Sequence, residues 1–586
     1  MKNMALIRDA FVAALSVMVL SGILTSPLFA GPEPTQSSAG LPAKDPDLIV
    51  VGSGLAGLSA ALEAGRSGAK VVVLDRASMF GGHAVMSAGD VSIVDTPLQQ
   101  ANKINDSPSL AYADFMRWGI DANPDWVRYY VQHSRTEIYD WLVALGVQFK
   151  SVSSYAGNSV PRAHNTSGLG LGLVRPVYLE CLHTANVSFV WNTEVDRVLF
   201  ERGAVRGVRA KNLRTGTAAD LSSKAVLLAT GGFESNIALV LENWPADLPK
   251  PTVLLAGSGV NSMGSGLKLA TDVGGALSNL NHQWNYERGL PDPRYPGMNR
   301  GLNAVVDGIR VNALGQELII RGEASDELLR QVLDQPGGTY WAIFDEKLKH
   351  TFWVSGSDWG NFATIQRLIL DDPAVVKQAS SLEELASKTG IPADALKNSV
   401  ATYNERGKKI ETAPFYAAQF YPMTRKSMGG ITIDLGARVL DRRSHAVRGL
   451  YAAGEATGEA GINGKRALEG TFLGPAVITG RVAARSVVSD FSISPTASRS
   501  ALRTTNSATA VPTSAGAACE NCHALATMVN TPRSGYWHFE RVHRIVLESR
   551  LGCLQCHAEI GEPATPQHHI NPLTQASNCD YCHRAH

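Results

Sequence analysis

Residues 48–57 read Leu-Ile-Val-Val-Gly-Ser-Gly-Leu-Ala-Gly, an apolar run that leads into three closely spaced glycines. The apolar run is typical of a buried parallel strand, and the apolar spacing over residues 58–64 predicts that a helix follows. A second apolar strand at residues 70–74 ends on Asp75. This order of strand, glycine turn, helix, strand and acid, with the acid about twenty residues beyond the glycines, predicts a dinucleotide site.

The three glycines, Gly52, Gly54 and Gly57, permit a tight turn in front of the predicted helix. Unpaired N–H groups at the start of that helix can then bind a pyrophosphate. Asp75 is expected to accept hydrogen bonds from the adenosine ribose.

Two later apolar strands also end in glycines. Residues 225–228 lead into a run that contains Gly231, and residues 449–455 end on Gly454 and Glu455. Separated segments that return to one nucleotide fit FAD better than NAD, because the isoalloxazine must be held at its far end too. We therefore predict an α/β fold with a Rossmann-like domain that binds FAD.

The last part of the chain carries three Cys-x-x-Cys-His runs. They are Cys519, Cys522 and His523; Cys553, Cys556 and His557; and Cys579, Cys582 and His583. Each run is a c-type haem attachment signal, with two thiols for the porphyrin and an adjacent imidazole for the iron. Zinc is the alternative ligand for paired Cys-x-x-Cys motifs, but zinc gives no reason for a His after every pair. We predict three covalent haems.

These runs use six of the seven cysteines, and eight of the fifteen histidines lie in residues 523–586. The histidines outside the runs can supply the second axial ligand, so we expect bis-histidine iron. The candidates are His538, His543, His568, His569 and His586.

Residues 1–30 predict a secretory signal peptide. Basic residues precede an apolar run at residues 11–24, and Ala30 then offers a small-residue cleavage point. The run is too short and too interrupted by serine for a firm membrane span, although an uncleaved anchor stays open. Because haem c attachment takes place outside the cytoplasmic membrane, both signals predict a periplasmic protein.

The chain is long enough for two or three domains, and its 54 Lys and Arg balance 53 Asp and Glu. This balance gives no electrostatic case for nucleic acid or a membrane surface as a partner. Helical patterns are visible at residues 382–388 and 393–406. The predicted organisation is a signal peptide at 1–30, a linker at 31–44, an FAD-binding domain at 45–250 and 423–490 with an inserted segment at 251–422, a Ser/Thr/Ala-rich linker at 491–518 and a haem-cored triheme module with little regular structure at 519–586.

Several short motifs follow one another along residues 47–488. They are Gly81-Gly82, Ser87-Ala88-Gly89, Arg162-Ala163-His164, Ala229-Thr230-Gly231-Gly232, Ser427-Met428-Gly429-Gly430-Ile431 and Ala452-Ala453-Gly454-Glu455. In this order the chain resembles the fumarate reductase/succinate dehydrogenase flavoprotein family, which includes soluble periplasmic flavocytochromes c. The resemblance implies that residues 251–422 form a mobile α+β capping domain that closes an active site over FAD. In the familiar flavocytochromes c the haem domain is N-terminal, whereas here it is C-terminal.

The resemblance also implies further FAD contacts, at Gly81, Gly82, Ala88, Gly89, Val195 and Leu473. His83 lies at the spacing at which the succinate dehydrogenase branch bonds its flavin covalently. We favour the alternative that His83 packs over the dimethylbenzene edge of a non-covalent FAD, since position alone does not create the bond.

Reduction of an activated C=C bond needs a hydride, a proton donor and cations that bind the substrate's charge. Where the family has a substrate-binding His this chain has Lys426, and where the family has a carboxylate-binding Arg it has Ala467. The family's proton-donating Arg has no counterpart in residues 322–326, although Arg321 lies directly before them. The remaining candidates for substrate contact are Arg425, Lys426, Arg466, Tyr286 and Arg288.

These residues predict an FAD- and haem-dependent oxidoreductase for the activated C=C or CH–CH bond of an unsaturated acid or enone, with little activity on fumarate. Residues 469–474 look more like ketosteroid dehydrogenase relatives, so a dehydrogenase that delivers electrons to haem stays open. A third interpretation is a multihaem electron carrier with a relict FAD fold, although the intact glycine and acid motifs weigh against it. The expected partners are a small-molecule substrate and periplasmic or membrane-bound electron-transfer proteins, without nucleic acid.

Overall fold

The computed structural model describes residues 45–494, except residues 357, 358 and 408. The predicted signal peptide and all three haem motifs lie outside the described residues.

The strands of the described residues are β1 (Leu48–Val51), β2 (Val71–Leu74), β3 (Asp90–Ser92), β4 (Phe149–Ser153), β5 (Ala163–Thr166), β6 (Val187–Val190), β7 (Thr193–Glu201), β8 (Ala204–Asn212), β9 (Ala218–Ser222), β10 (Ala225–Leu228), β11 (Leu255–Ala256), β12 (Leu277–Ser278), β13 (Gln283–Pro291), β14 (Gly301–Val305), β15 (Ile309–Val311), β16 (Tyr340–Asp345), β17 (Trp353–Val354), β18 (Val376–Ala379), β19 (Phe415–Ser427), β20 (Gly430–Ile431), β21 (Arg438–Leu440) and β22 (Ala446–Ala452).

The α-helices of the same residues are α1 (Leu55–Arg66), α2 (Pro97–Ala101), α3 (Pro108–Gly119), α4 (Pro124–Ser134), α5 (Trp141–Ala144), α6 (Leu169–His183), α7 (Ile237–Glu242), α8 (Ser265–Thr271), α9 (Ser325–Leu333), α10 (Phe362–Ile365), α11 (Leu382–Thr389), α12 (Ala393–Glu405) and α13 (Leu473–Asp490). The two helices predicted at residues 382–388 and 393–406 are present as α11 and α12, each within one residue of the predicted end.

A six-stranded sheet in the order β21-β22-β10-β1-β2-β6 forms the first layer of the fold. Its strands run parallel except β21, which is antiparallel to β22. Every residue of β1, β2 and β10 is buried, which explains their almost purely apolar sequences. Helices α1 and α13 pack against each other beside this sheet. The α/β fold and the first strand-helix-strand unit are as predicted.

The carboxyl ends of β1, β2, β10 and β22 meet at one edge of this sheet, because the four strands are parallel. The residues that follow them are Gly52, Asp75, Ala229 and Ala453. Open α/β sheets bind ligands in the crevice outside these strand ends. The topology therefore brings all four predicted nucleotide segments together.

A second sheet has the order β15-β16-β19-β13-β14-β17, with β11 and β18 also paired to β19. All of its strands lie between β10 and β22 in the chain, and it has hydrophobic clusters of its own around Phe344 and Ile343. The predicted boundary between residues 422 and 423 falls inside β19. This long strand carries Arg425 and Lys426 from the second sheet towards the edge of the first.

No helix within residues 45–494, as far as they are described, is long and apolar enough to cross a bilayer.

Candidate active site

A cleft of about 320 Å³ runs along the carboxyl edge of the six-stranded sheet. Its walls combine the strand ends of that sheet with residues of the second sheet. The same cleft is therefore bounded by the predicted nucleotide motifs and by part of the predicted catalytic set.

In the glycine turn after β1, two glycines are packed against backbone atoms, whereas the third faces free space. Gly52 has φ +109°, and a side chain there would collide with the carbonyl of Ala229. A Cβ on Gly57 would collide with the carbonyl of Gly52. By contrast, a Cβ on Gly54 would meet no atom within 4 Å. This space lies in front of the first turn of α1, whose N-cap is Gly54 and has no side-chain cap, as a pyrophosphate site requires.

Asp75 follows the end of β2 and is hydrogen-bonded to the glycine turn. Its Oδ2 accepts hydrogen bonds from the backbone N and the Oγ of Ser53, both at 2.6 Å, and its Oδ1 accepts one from the N of Ala77. Burial raises the pKa of Asp75, which the hydrogen bonds from Ser53 oppose. The carboxylate lines the cleft, so a remaining lone pair is available to a ribose hydroxyl.

Most of the predicted FAD contacts line this cleft. The lining includes Gly52, Gly54, Asp75, Gly82, His83, Val195, Gly231, Gly454, Glu455 and Leu473. Gly57, Gly81, Ala88 and Gly89 are not part of the lining; Gly57 shapes the turn and Gly89 packs on the backbone of Leu169.

Two further observations fit FAD. Thr230 lines the cleft with a buried hydroxyl that has no hydrogen-bond partner among the described residues. Helix α13 begins at Leu473 on the cleft wall, so the positive end of its dipole faces the ligand space. The residues present therefore fit a long, partly anionic cofactor with polar groups along its length.

His83 is buried at the cleft wall, with 11% of its side chain exposed. Its Nδ1 lies 3.4 Å from the Oε2 of Glu455 and 3.3 Å from the Oγ of Ser258. Burial lowers the pKa of His83 to about 4, so the imidazole is neutral near pH 7. Its Nε2 is buried without a partner among the described residues and is available to a ligand of the cleft.

Arg425 and Lys426 bring two cations into the cleft. Arg425 is buried and donates from Nη1 to the carbonyl of Gly257. The Nζ of Lys426 lies 3.9 Å from the centroid of the Phe472 ring. Burial lowers the pKa of Lys426, and the neighbouring charge of Arg425 lowers it further. A lysine of this kind can bind an anion and can also release a proton.

The other three predicted catalytic residues lie outside the cleft lining. Tyr286 is buried in an aromatic cluster with Trp284, 5.8 Å between ring centroids. Arg288 lies over the Tyr286 ring and donates to the Oδ1 of Asn303 at 2.9 Å. Arg466 forms ion pairs of 2.9 and 3.0 Å with two acids of α9, Asp326 and Glu327.

Sequence reasoning missed Arg300 and Glu459, which also line the cleft. Both are almost fully buried, at 8% and 3% exposure. Burial raises the pKa of Glu459 well above its usual value, and its Oε2 has no hydrogen-bond partner within the described residues. Glu459 follows the predicted Gly454-Glu455 motif by four residues, but no motif marks it. Arg300 reaches the cleft through a long-range bridge of its backbone to Ala256.

The family model described as FAD binding domain matches residues 47–473 of this chain. A cytochrome-type fumarate reductase of Shewanella frigidimarina is 31% identical over 458 residues, which cover 75% of this chain and 76% of that protein. A KsdD-like steroid dehydrogenase of Mycobacterium tuberculosis is 28% identical and is matched over 76% of this chain and 96% of its own length. The open conformation of a flavocytochrome c3 fumarate reductase superposes with a TM-score of 0.65 at 24% identity, over 76% of this chain and 79% of that one.

The chain belongs to this FAD-binding family. It is a flavoprotein of the fumarate reductase/succinate dehydrogenase type, a class of oxidoreductases that act on C=C or CH–CH bonds. Its α/β fold is the one predicted, and FAD is the cofactor that the family and the cleft both support.

Proposed function

We propose that this protein is an exported flavocytochrome c, in which c-type haems exchange electrons with FAD at the cleft and FAD acts on an activated C=C or CH–CH bond. The haem part rests on the three complete attachment runs between Cys519 and His583. The compartment rests on the signal peptide at residues 1–30 and on the need to attach haem c outside the cytoplasm. The expected electron-transfer partners are periplasmic or membrane-bound proteins.

One observation supports the flavin reaction most strongly: the cleft that holds the glycine and acid motifs is also lined by Arg425 and Lys426. Bound FAD supplies or accepts the hydride. In the proposal, Arg425 binds negative charge on the substrate, and Lys426 holds a proton at Nζ for the neighbouring carbon. The aromatic ring of Phe472 under this ammonium keeps water from one side of it.

The physiological substrate is not fumarate in this proposal. The two positions that hold a four-carbon dicarboxylate in the family carry Lys426 and Ala467 here. Loss of a bidentate charge-assisted contact costs roughly 1.5–3 kcal/mol. Because such a contact also orients the alkene, its loss is expected in turnover as well as in KM.

The same parts can work in the opposite direction. The similarity to a KsdD-like steroid dehydrogenase over 96% of that protein favours an enone or ketone substrate as the second candidate. In that case Lys426 and Arg425 stabilise the carbonyl oxygen, and electrons leave through the haems.

Two measurements test the proposal. An alkaline pyridine spectrum is expected to give three c-type haems per chain, and Cys556→Ala to lose one of them. Reduced methyl viologen is expected to be oxidised with at least one member of a panel of enoates and enones, or an electron acceptor to be reduced with a saturated ketone or acid. Absence of turnover in both directions supports the electron carrier instead.

The flavin site has a separate test. Gly54→Val is expected to abolish flavin binding while the protein still folds, because the space around a Cβ at this position is free of protein atoms and lies on the pyrophosphate path. Gly54→Ala, with a smaller side chain, is the graded control. Full flavin content in the valine variant contradicts the assignment of the turn. Flavin that stays on the protein after acid precipitation overturns our preference for a non-covalent contact at His83.

A further inference from the structure

Two buried arginines of the cleft form no ion pair within the described residues. Arg300 and Arg425 are 8% and 7% exposed, and both line the cleft. Among the described residues neither lies within ion-pair distance of a carboxylate. The third arginine of this wall differs, because Arg294 holds Asp292 through two hydrogen bonds of 2.9 and 2.7 Å.

The two guanidinium groups are anchored on one loop. Arg425 donates to the carbonyl of Gly257, and Arg300 donates to the carbonyl of the next residue, Ser258. A second hydrogen bond of 2.9 Å joins Arg300 to the Oγ of Ser235. Neutral acceptors therefore fix both groups in place. The carboxylate of Asp292 lies near enough to act on the charge of Arg300, but it is already bound by Arg294.

Such an arrangement is costly without an anion. Burial lowers the pKa of Arg300, and the charges of Arg294 and Arg425 lower it further, although Tyr295 and Asp292 oppose this shift in part. A buried charge is stable only when it is paired and hydrogen-bonded, so two adjacent cations create a site for a shared anion. Guanidinium groups match the planar geometry of a carboxylate.

Aromatic side chains line the same cleft. Phe472 lines the cleft and packs on Trp284, with 5.0 Å between the ring centroids. Both rings belong to a buried hydrophobic cluster with Met423 and Met428. The ring of Tyr295, which also lines the cleft, lies 6.0 Å from the guanidinium carbon of Arg300. A ligand with its carboxylate on the arginines would thus place an apolar body against aromatic walls of the cleft.

We infer that Arg300 and Arg425 together bind the single carboxylate of an α,β-unsaturated monocarboxylic acid with an apolar body. This inference rests on the proposed function for its substrate bond and adds the substrate class. It requires no redox step beyond the reduction or oxidation already proposed.

The test compares an acid with its uncharged analogue. Isothermal titration of the oxidised holoenzyme with 3-phenylpropanoate and with 3-phenylpropanamide is expected to show binding of the acid and at least tenfold weaker binding of the amide. Arg300→Met is expected to weaken acid binding by about 10- to 150-fold, the range for a charge-assisted hydrogen bond, and to leave the amide unchanged. Arg300→Lys, which keeps the charge but loses the planar fork, is expected to lie between these results.

The matched control is Arg310→Met, because Arg310 stacks on Tyr340 in the second sheet and does not line the cleft. Equal binding of acid and amide by the wild type overturns the inference. Loss of flavin from Arg300→Met also overturns it, because the arginine would then serve the cofactor. Acid-selective binding without turnover of any enoate or enone supports the arginine site and contradicts the proposed function. Turnover of neutral enones alone, without acid binding, supports the proposed function and contradicts the arginine site.

Discussion

Two parts of this molecule bury arginine in opposite ways. Arg162 is fully buried between Asp106 and Asp114, with hydrogen bonds of 2.8 Å to the first and 2.5 Å to the second. Arg300 and Arg425 are buried almost as deeply, yet their hydrogen-bond acceptors in the described part of the chain are carbonyl and hydroxyl oxygens.

The difference separates a structural network from a binding site. Around Arg162, His164 also has both ring nitrogens bonded, to the carbonyl of Arg162 and to the Oγ1 of Thr96, at 2.7 Å each. In the cleft, by contrast, the Nε2 of His83 and the Oε2 of Glu459 have no partner within the described residues. A closed network stabilises the fold by itself, whereas an open one gains its stability when a ligand binds.

The largest expected effect is on the closed network. Arg162→Met leaves two buried carboxylates without their shared cation, so the free energy of unfolding is expected to fall by about 3–5 kcal/mol. Urea denaturation of the holoprotein measures this free energy. A loss below 1 kcal/mol would remove the distinction between the two kinds of arginine.

A second prediction concerns the pH dependence of the same network. Burial lowers the pKa of His164 to about 4 from an ordinary value of 6.5. Between these two pH values the unfolded chain binds more protons at His164 than the folded chain does. The stability that depends on neutral His164 is therefore fully present above pH 6.5. It is lost as the pH falls towards 4, by up to about 3 kcal/mol. The stability gap between the wild type and His164→Gln is therefore expected to shrink over this window. If the unfolding free energies of the two proteins ran parallel from pH 7 to pH 4, this prediction would be wrong.

The open site predicts the opposite pattern. Arg425→Met is expected to lower kcat/KM by about 10- to 150-fold with the best acid substrate, while the unfolding midpoint stays the same or rises. Flavin and haem content serve as controls for folding. If the variant kept its activity but had a lower unfolding midpoint, Arg425 would stabilise the fold, as Arg162 does, and would not bind substrate.

The smallest effect is a shift in a pH profile. Because burial lowers the pKa of Lys426, activity that needs its ammonium is expected to be lost as pH rises through a value below 10.5. Lys426→Arg keeps the charge to higher pH and is expected to move this alkaline limb upward. An unchanged limb would mean that another group titrates there.

The sequence was sufficient for the nucleotide half of the molecule. The run around Gly54 and the acid at Asp75 are local patterns with fixed spacing, and the predicted strand at residues 70–74 differs from β2 by one residue. The FAD-binding α/β fold is confirmed by the family match over residues 47–473. Local motifs are predictable because one turn and one helix terminus carry their chemistry.

The substrate half was predicted only in part. Arg425 and Lys426 line the cleft as expected, since a motif aligns them, but Arg466 forms ion pairs with acids of α9 away from it. Arg300 was missed because its place depends on a bridge to Ala256 of β11, and β11 in turn pairs with Met423 and Thr424 of β19. No local pattern encodes contacts between such distant parts of the chain. The haem motifs are local and complete, and they remain predictions because they lie outside the described residues.

The most direct test of the account compares fumarate with the best monocarboxylate or enone in a reduced methyl viologen assay of the holoprotein. The open site, with Lys426 and Ala467 at the two dicarboxylate positions, predicts that kcat/KM for fumarate is lower by at least about tenfold. Fumarate turnover as efficient as that of the best substrate would contradict this account of the cleft.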